Sequence, residues 1–232
     1  MFLEAFLWSV SITLASYGFP YLIPSIRNRL KEIHTNTELI GSEELRIKVR
    51  DSIDRTLGQL VAATCQSLMT GWSLSNLILG SSIQALDQLV IGFYIYDIVH
   101  LLTKPYGKTQ RIYLLHHIMS ILFIYLNTLN IHRNVFSTNI SYLLMESSSA
   151  TINLTTIIVH ERPRYKSFVN KVNVFVYGLT RVVLFPGNIL YYFVDSLSSE
   201  QPLLRSSELI MAILFYGMFV YWHQAMIKKY LI

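Results

Sequence analysis

The feature that most restricts this chain is its recurring long apolar run. A helix needs roughly 20 mostly apolar residues to cross about 30 Å of hydrocarbon, and stretches of that character recur at 3–23, 57–79, 87–102, 112–131, 135–159, 172–194 and 207–227 of the 232 residues. The third is short and begins at Asp87, so it is predicted to extend backward through Ser81 or to lie partly in the interface. A backbone in lipid must satisfy its own hydrogen bonds, which restricts these stretches to helices. Composition agrees, with 52% hydrophobic residues, 14% charged residues and a mean hydropathy of +0.40. The expected fold class is all-α and integral to a membrane, a bundle of about seven transmembrane helices. Its expected organisation is an N-terminal helix at 1–24, a cytosolic loop at 25–54 and a main membrane domain at 55–229. Glu4 lies at the start of the first run and no Lys or Arg precedes it, so that run is read as a retained span rather than a cleaved signal.

A net charge of +5 could point to nucleic acid, but the position of the charges points elsewhere. Arg27, Arg29, Lys31, Arg46, Lys48, Arg50 and Arg55 lie between the first two spans. Lys104, Lys108 and Arg111 join the third to the fourth, and Arg162, Arg164, Lys166 and Lys171 join the fifth to the sixth. Lys228 and Lys229 follow the last. The opposite side carries only Arg133 and Arg205, and Arg181 falls inside a span. Basic loops remain cytosolic, so the expected topology has the N-terminus outside and the C-terminus in the cytosol, and no nucleic-acid partner is expected. Within the largest loop, Leu45, Val49, Ile53 and Leu57 recur every four residues among charged neighbours. That pattern suits either an interfacial amphipathic helix or a solvated helical lead-in to the second span.

Ionisable groups inside spans are costly unless they face a partner or a watery interior, which makes each a candidate for function. Asp97 stands about five residues before the cytosolic end of its span, and His116 and His117 about five residues into theirs, so at 1.5 Å per residue all three lie roughly 8 Å inside one membrane face. Consecutive helical residues diverge by about 100°, so one histidine can face the interior while the other meets a neighbouring helix. An imidazole there can take a proton from an amine or hydroxyl, with Asp97 orienting it, and His116, His117 and Asp97 are the candidate catalytic residues. The same histidines could instead be hydrogen-bonded structural groups.

In the fifth span Tyr142, Glu146, Ser149, Asn153 and Thr156 share one helical face, and in the sixth Asn173, Tyr177 and Arg181 do the same. Glu146, Asn153, Arg181 and Tyr177 are the candidate substrate-binding residues. Glu146 and Arg181 stand at similar depth and are predicted to form an ion pair, while Asn153 also suits simple helix packing. Pro186-Gly187 is predicted to interrupt the sixth span and free backbone carbonyls for a ligand or a neighbouring helix. The seven histidines supply no pair at i, i+3 or i+4, and Cys65 is the only cysteine, so no metal site is expected, although His100 and His223 lie near the same face.

The runs G-F-Y-I-Y-D-I-V-H-L-L at 92–102, L-L-H-H-I-M-S-I at 114–121, M-E-S-S-S-A-T-I-N-L at 145–154 and T-R-V-V-L-F-P at 180–186 resemble, in order and spacing, the TLC-domain family of endoplasmic-reticulum membrane proteins. The resemblance implies a six-helix core plus the N-terminal helix, enclosing a lipid-accessible cavity, with a role in lipid synthesis, sensing or transport. It implies membrane lipids as partners, residence in the endoplasmic reticulum and no certain resident cofactor. In the ceramide-synthase branch a paired-histidine site joins an amine to an acyl group, so an enzyme of that kind would take acyl-CoA as co-substrate, with His116 and His117 matching the pair. That branch carries a downstream His-Asp and a further Asp where this chain reads M-E-S-S-S-A-T-I-N, which resembles the non-synthase branch instead. An acidic residue frequent in that branch just before the histidines is replaced by Gln110 and Arg111. The alternative is a seven-helix transporter or receptor without catalytic activity. A receptor would be expected to end its third span in a D-R-Y-like motif, whereas this chain reads I-V-H-L-L there.

Overall fold

Apolar runs bounded by Gly, Pro and polar residues become helices whose outer faces stay greasy and whose inner faces carry the polar groups. The structure, a computed structural model, describes residues 2–22, 28, 43–80, 82–103, 110–129, 133–197 and 201–231. Among them run seven helices and no strand. These are α1 (Phe2–Leu22), α2 (Glu43–Leu79), α3 (Gln84–Thr103), α4 (Gln110–Leu129), α5 (Val135–Glu161), α6 (Lys166–Leu197) and α7 (Pro202–Tyr230). A short 3-10 turn, Pro163–Tyr165, leads into α6. The part of the expected cytosolic loop before residue 43 lies outside the described residues, apart from residue 28.

Three boundaries refine the sequence expectation. The charged stretch from residue 43 is continuous with the second span as one helix of 37 residues. Gly80 ends that helix at φ +65°, a conformation glycine adopts without Cβ strain, and its N–H donates to the Asn76 carbonyl at 2.9 Å. The third span begins three residues before Asp87, at Gln84, so Asp87 lies inside the first turn and is buried rather than marking an interfacial end.

Four of the seven, Gln84–Thr103, Ile112–Leu129, Lys166–Leu197 and Pro202–Tyr230, are long and apolar enough to cross a membrane by length and composition. Their exposed residues agree. Leu115, Ile118 and Leu122 line the outside of α4, and Phe175, Leu179 and Val183 repeat at intervals of four along α6. Apolar stripes of this extent are tolerated where the surrounding solvent is itself apolar.

The helices pack as a ring. In order around it stand α2, α3, α4, α7, α6 and α5, and α5 closes back on α2; among the described residues no backbone touches a ring member other than its two neighbours. The ring interior is therefore crossed by side chains. α1 lies outside, against α3 and α2. Its approach is close because Gly92 of α3 lacks a side chain: a Cβ there would lie 2.6 Å from the Ala5 carbonyl oxygen and from the Trp8 Cβ. Small residues at such crossings let dispersion replace the hydrophobic effect, which is absent between helices in lipid.

Pro186 shapes α6. It supplies no N–H, so hydrogen bonding slips a register and Gly178–Leu184 winds as a π-helix before α-helix resumes at Phe185–Leu197. The predicted interruption is thus a local change of winding within a continuous helix. The freed Val182 carbonyl accepts from the Tyr216 hydroxyl of α7 at 3.4 Å.

Candidate functional site

Asp97 and His117 meet across the α3–α4 contact. His117 Nε2 lies 2.6 Å from Asp97 Oδ2, and the side chains are 8% and 26% exposed. The equal depth read from the sequence thus becomes a direct contact. A carboxylate on Nε2 selects the tautomer protonated there and leaves Nδ1 with its lone pair. Nδ1 of His117 is buried with no hydrogen-bond partner.

His116 diverges from it, as adjacent helical positions must. The two rings lie 5.3 Å apart at 45°. His116 is boxed edge-on by Phe215 and Trp222 of α7, at 5.6 and 5.4 Å between centroids. Phe215, Phe219 and Trp222 follow a helical spacing on one face of α7, so a single aromatic ladder walls the interior.

Tyr94 organises the centre. It lies one turn before Asp97, its ring stacks on His117 at 4.9 Å and 28°, and its hydroxyl donates to Glu146 Oε1 of α5 at 2.8 Å. Asp97, His117, Tyr94 and Glu146 thus form one chain of contacts from the half-exposed edge of α3 to the far side of the ring. Glu146 is 2% exposed, and its second oxygen, Oε2, is buried without a hydrogen-bond partner.

The predicted Glu146–Arg181 ion pair is a correction. Arg181 donates from Nε to Ser148 Oγ at 2.7 Å, and from one terminal nitrogen to the Met145 carbonyl and Ser149 Oγ, each at 2.5 Å. Its guanidinium lies over the rings of Tyr177 and Phe219 at 5.0 and 4.8 Å. The π-winding places Arg181 on the serine-rich turn of α5, while Glu146 is turned to Tyr94. Hydroxyls, a carbonyl and aromatic faces therefore stabilise the guanidinium in place of a carboxylate.

Tyr177 is buried and stacks on His223 of α7 at 6.2 Å. Asn153 sits apart from the cluster, its side-chain amide meeting that of Gln66 of α2 at 2.8 Å in the α2–α5 seam. His100 stacks on Tyr96, and His223 donates from Nε2 to the Val174 carbonyl at 3.2 Å, so the two are engaged separately. Among the described residues no group of three or more His, Cys, Asp or Glu could hold a metal ion.

Two features escaped the sequence reading. Tyr94 carries a detectable signal, since it stands at i, i+3 from Asp97 on the same face. The other feature is a second polar cluster at the opposite end of the ring. Arg133 holds Asp87 through both terminal nitrogens, one at 2.8 Å, and Tyr142 donates to Asp87 Oδ1 at 2.6 Å. Burial opposes the charge on Arg133, but the hydrogen bonds and charge of Asp87 outweigh it and raise the guanidinium pKa above its ordinary value. Arg205 pairs with Asp195 at 2.8 Å and Glu208 at 3.0 Å, and Asn188 binds Ser137 and Ser141. The sequence reading took Arg133 and Arg205 only as sparse charges of one loop face.

No curated protein matches the chain. The family model for the TLC domain matches residues 56–228, from α2 through nearly all of α7, and so covers every helix of the ring and the whole His117 cluster. With its paired histidines, its glutamate and its arginine on those helices, this multi-pass membrane protein belongs to the TLC-domain family.

Proposed function

We propose that the protein acts in lipid metabolism or homeostasis in the endoplasmic-reticulum membrane, binding an acyl lipid inside the helix ring beside His117. In this reading all seven helices cross the bilayer, with the N-terminus lumenal and the C-terminus cytosolic, as the basic loops require. The observation that carries it is the 2.6 Å contact between His117 and Asp97, within a ring whose interior is lined by aromatic side chains. A buried histidine oriented by a carboxylate, with its other nitrogen unpartnered, is equipped for proton transfer.

The chemistry this supports is acyl transfer from acyl-CoA. His117 Nδ1 takes the proton of a hydroxyl or amine as that oxygen or nitrogen forms its bond to the thioester carbonyl. The carbon–sulfur bond breaks, and the departing thiolate receives the proton from the imidazolium. Arg181, Tyr177 and Glu146 line the path of the acceptor lipid in this reading, while Asn153 holds α2 to α5. The family match gives no support to a receptor or transporter role.

The test uses purified full-length protein. Its co-purifying lipids are identified by mass spectrometry, and it is incubated with labelled acyl-CoA and a panel of long-chain alcohols and amines. An acyl lipid bound to the unaltered protein and displaced in His117→Ala supports the reading. Label transfer that vanishes in the same variant supports the catalytic form. Binding without transfer to any acceptor leaves a lipid-binding protein and removes the enzyme. Neither binding nor transfer overturns the proposal.

A further inference from the structure

Two buried atoms of the central cluster carry unmet hydrogen-bonding capacity, and they lie within the reach of one tyrosine. Glu146 Oε2 and His117 Nδ1 are each buried without a hydrogen-bond partner. Tyr94 ties them together, its hydroxyl on Glu146 Oε1 at 2.8 Å and its ring stacked on His117 at 4.9 Å. The neighbouring His116 Nδ1 is likewise buried without a partner, its ring 6.3 Å from that of Tyr94. Buried polar atoms are normally satisfied, and an unsatisfied one carries its full desolvation penalty. Such atoms, joined through one tyrosine in a ring interior, mark a place where a polar ligand group is received.

The ligand's polar end is constrained by sign and by number. With Nε2–H directed at Asp97, His117 Nδ1 can only accept. Glu146 presents a carboxylate oxygen whose twin already accepts from Tyr94. A fitting headgroup therefore supplies at least two O–H or N–H donors a few ångströms apart. Charge separates the two kinds of donor. A cationic headgroup would have to shed its hydration shell to reach these buried atoms, which is costly even when a partner is met, whereas a neutral diol brings two donors and no charge to desolvate.

We propose that the site receives an acyl lipid with a neutral vicinal-diol headgroup, of the monoacylglycerol type, with one hydroxyl on Glu146 Oε2 and the other on His117 Nδ1. The inference rests on the lipid-binding reading above and names the class of headgroup for that same site. It also assigns Glu146 as the acceptor that reads the second hydroxyl, a role distinct from the ion pair expected from the sequence.

The test measures binding of three single-chain probes to purified full-length protein in detergent: monooleoylglycerol, its dimethyl ether and oleylamine. The diol is expected to bind about tenfold or more tightly than the diether, since each lost hydrogen bond to a buried group removes roughly that factor. Glu146→Gln keeps the size and the acceptor for Tyr94 but turns the free oxygen into a donor. It is expected to close most of the gap by weakening the diol alone, with an unchanged melting temperature showing that the ring is intact. Equal affinity for diol and diether on the unaltered protein overturns the proposal, as does preference for oleylamine. In those outcomes an acyl chain still binds and the broader lipid reading stands. Failure of all three probes to bind overturns both.

Discussion

The two ends of the helix ring solve the problem of polar groups in lipid in opposite ways. At the Asp87 end, carboxylates and guanidinium groups are closed on one another: Asp87 takes Arg133 and Tyr142, and Arg205 takes Asp195 and Glu208. At the Asp97 end no guanidinium among the described residues meets the Glu146 carboxylate, and His117 Nδ1 and Glu146 Oε2 are left over; at the Asp87 end Arg133 Nε also lacks a hydrogen-bond partner, but each charge there faces an opposite one. Paired charges resist change because removing one partner strands the other, while an unpaired acceptor holds capacity for something that binds. One end is therefore suited to holding the ring together, and the other is where the proposed lipid site lies.

The sharpest way to break this contrast is to strand a charge at the matched end. Asp87→Ala leaves Arg133 buried beside Tyr142 and is expected to destabilise the detergent-solubilised protein by about 3–5 kcal/mol, read from its thermal melt. Replacing both partners by apolar groups of similar volume should recover most of the loss. A melt unchanged by Asp87→Ala would mean that this end carries no structural load.

The converse applies at Asp97. Asp97→Asn is expected to lower acyl transfer about 100-fold by releasing the His117 tautomer, with the melt within about 1 kcal/mol of the unaltered protein. A large loss of stability with unaltered turnover would reverse the assignment of the two ends. Tyr94→Phe tests the Asp97 end more gently. It removes one hydrogen bond and leaves both Glu146 oxygens unsatisfied, an expected destabilisation of about 1–2 kcal/mol that headgroup binding by a hydroxyl lipid should partly offset.

Much of the contrast was legible in the chain itself, for identifiable reasons. Apolar run length marked the place of the seven described helices, four of which are long and apolar enough to cross a membrane, because that requirement is set by bilayer thickness and not by tertiary packing. Asp97 and His117 were legible as neighbours because residue counts from opposite ends of adjacent spans fix depth. The partner of Glu146 was not, because depth leaves rotation about the helix axis open. Glu146 and Tyr142 are one turn apart on α5 yet serve different ends, the first taking Tyr94 and the second taking Asp87. Arg181 was misassigned for a related reason: Pro186 announces a disturbed turn, but the resulting π-winding of Gly178–Leu184 rotates everything before it by an amount that sequence spacing does not give. The Asp87–Arg133 pair was hidden because Arg133 reads as a loop residue, and only the closing of the ring brings it over α3.

The smallest expected effect probes that π-winding. In α6 the missing Pro186 N–H leaves the Val182 carbonyl without its helical donor, and the Tyr216 hydroxyl reaches it from α7 at 3.4 Å. A carbonyl stranded in an apolar surrounding would draw the helix toward another register, so the hydroxyl helps to hold the turn that aims Arg181 at Ser148 and Ser149. The bond is long, and polar contacts between membrane helices average only about 0.6 kcal/mol, so Tyr216→Phe should shift the melt by about that amount. The informative readout is hydrogen exchange across residues 178–186, which should quicken in the variant while exchange around Asp87 is unchanged. Equal exchange at both places would show that α7 does not stabilise the π-turn, and that Arg181 is held from the α5 side alone.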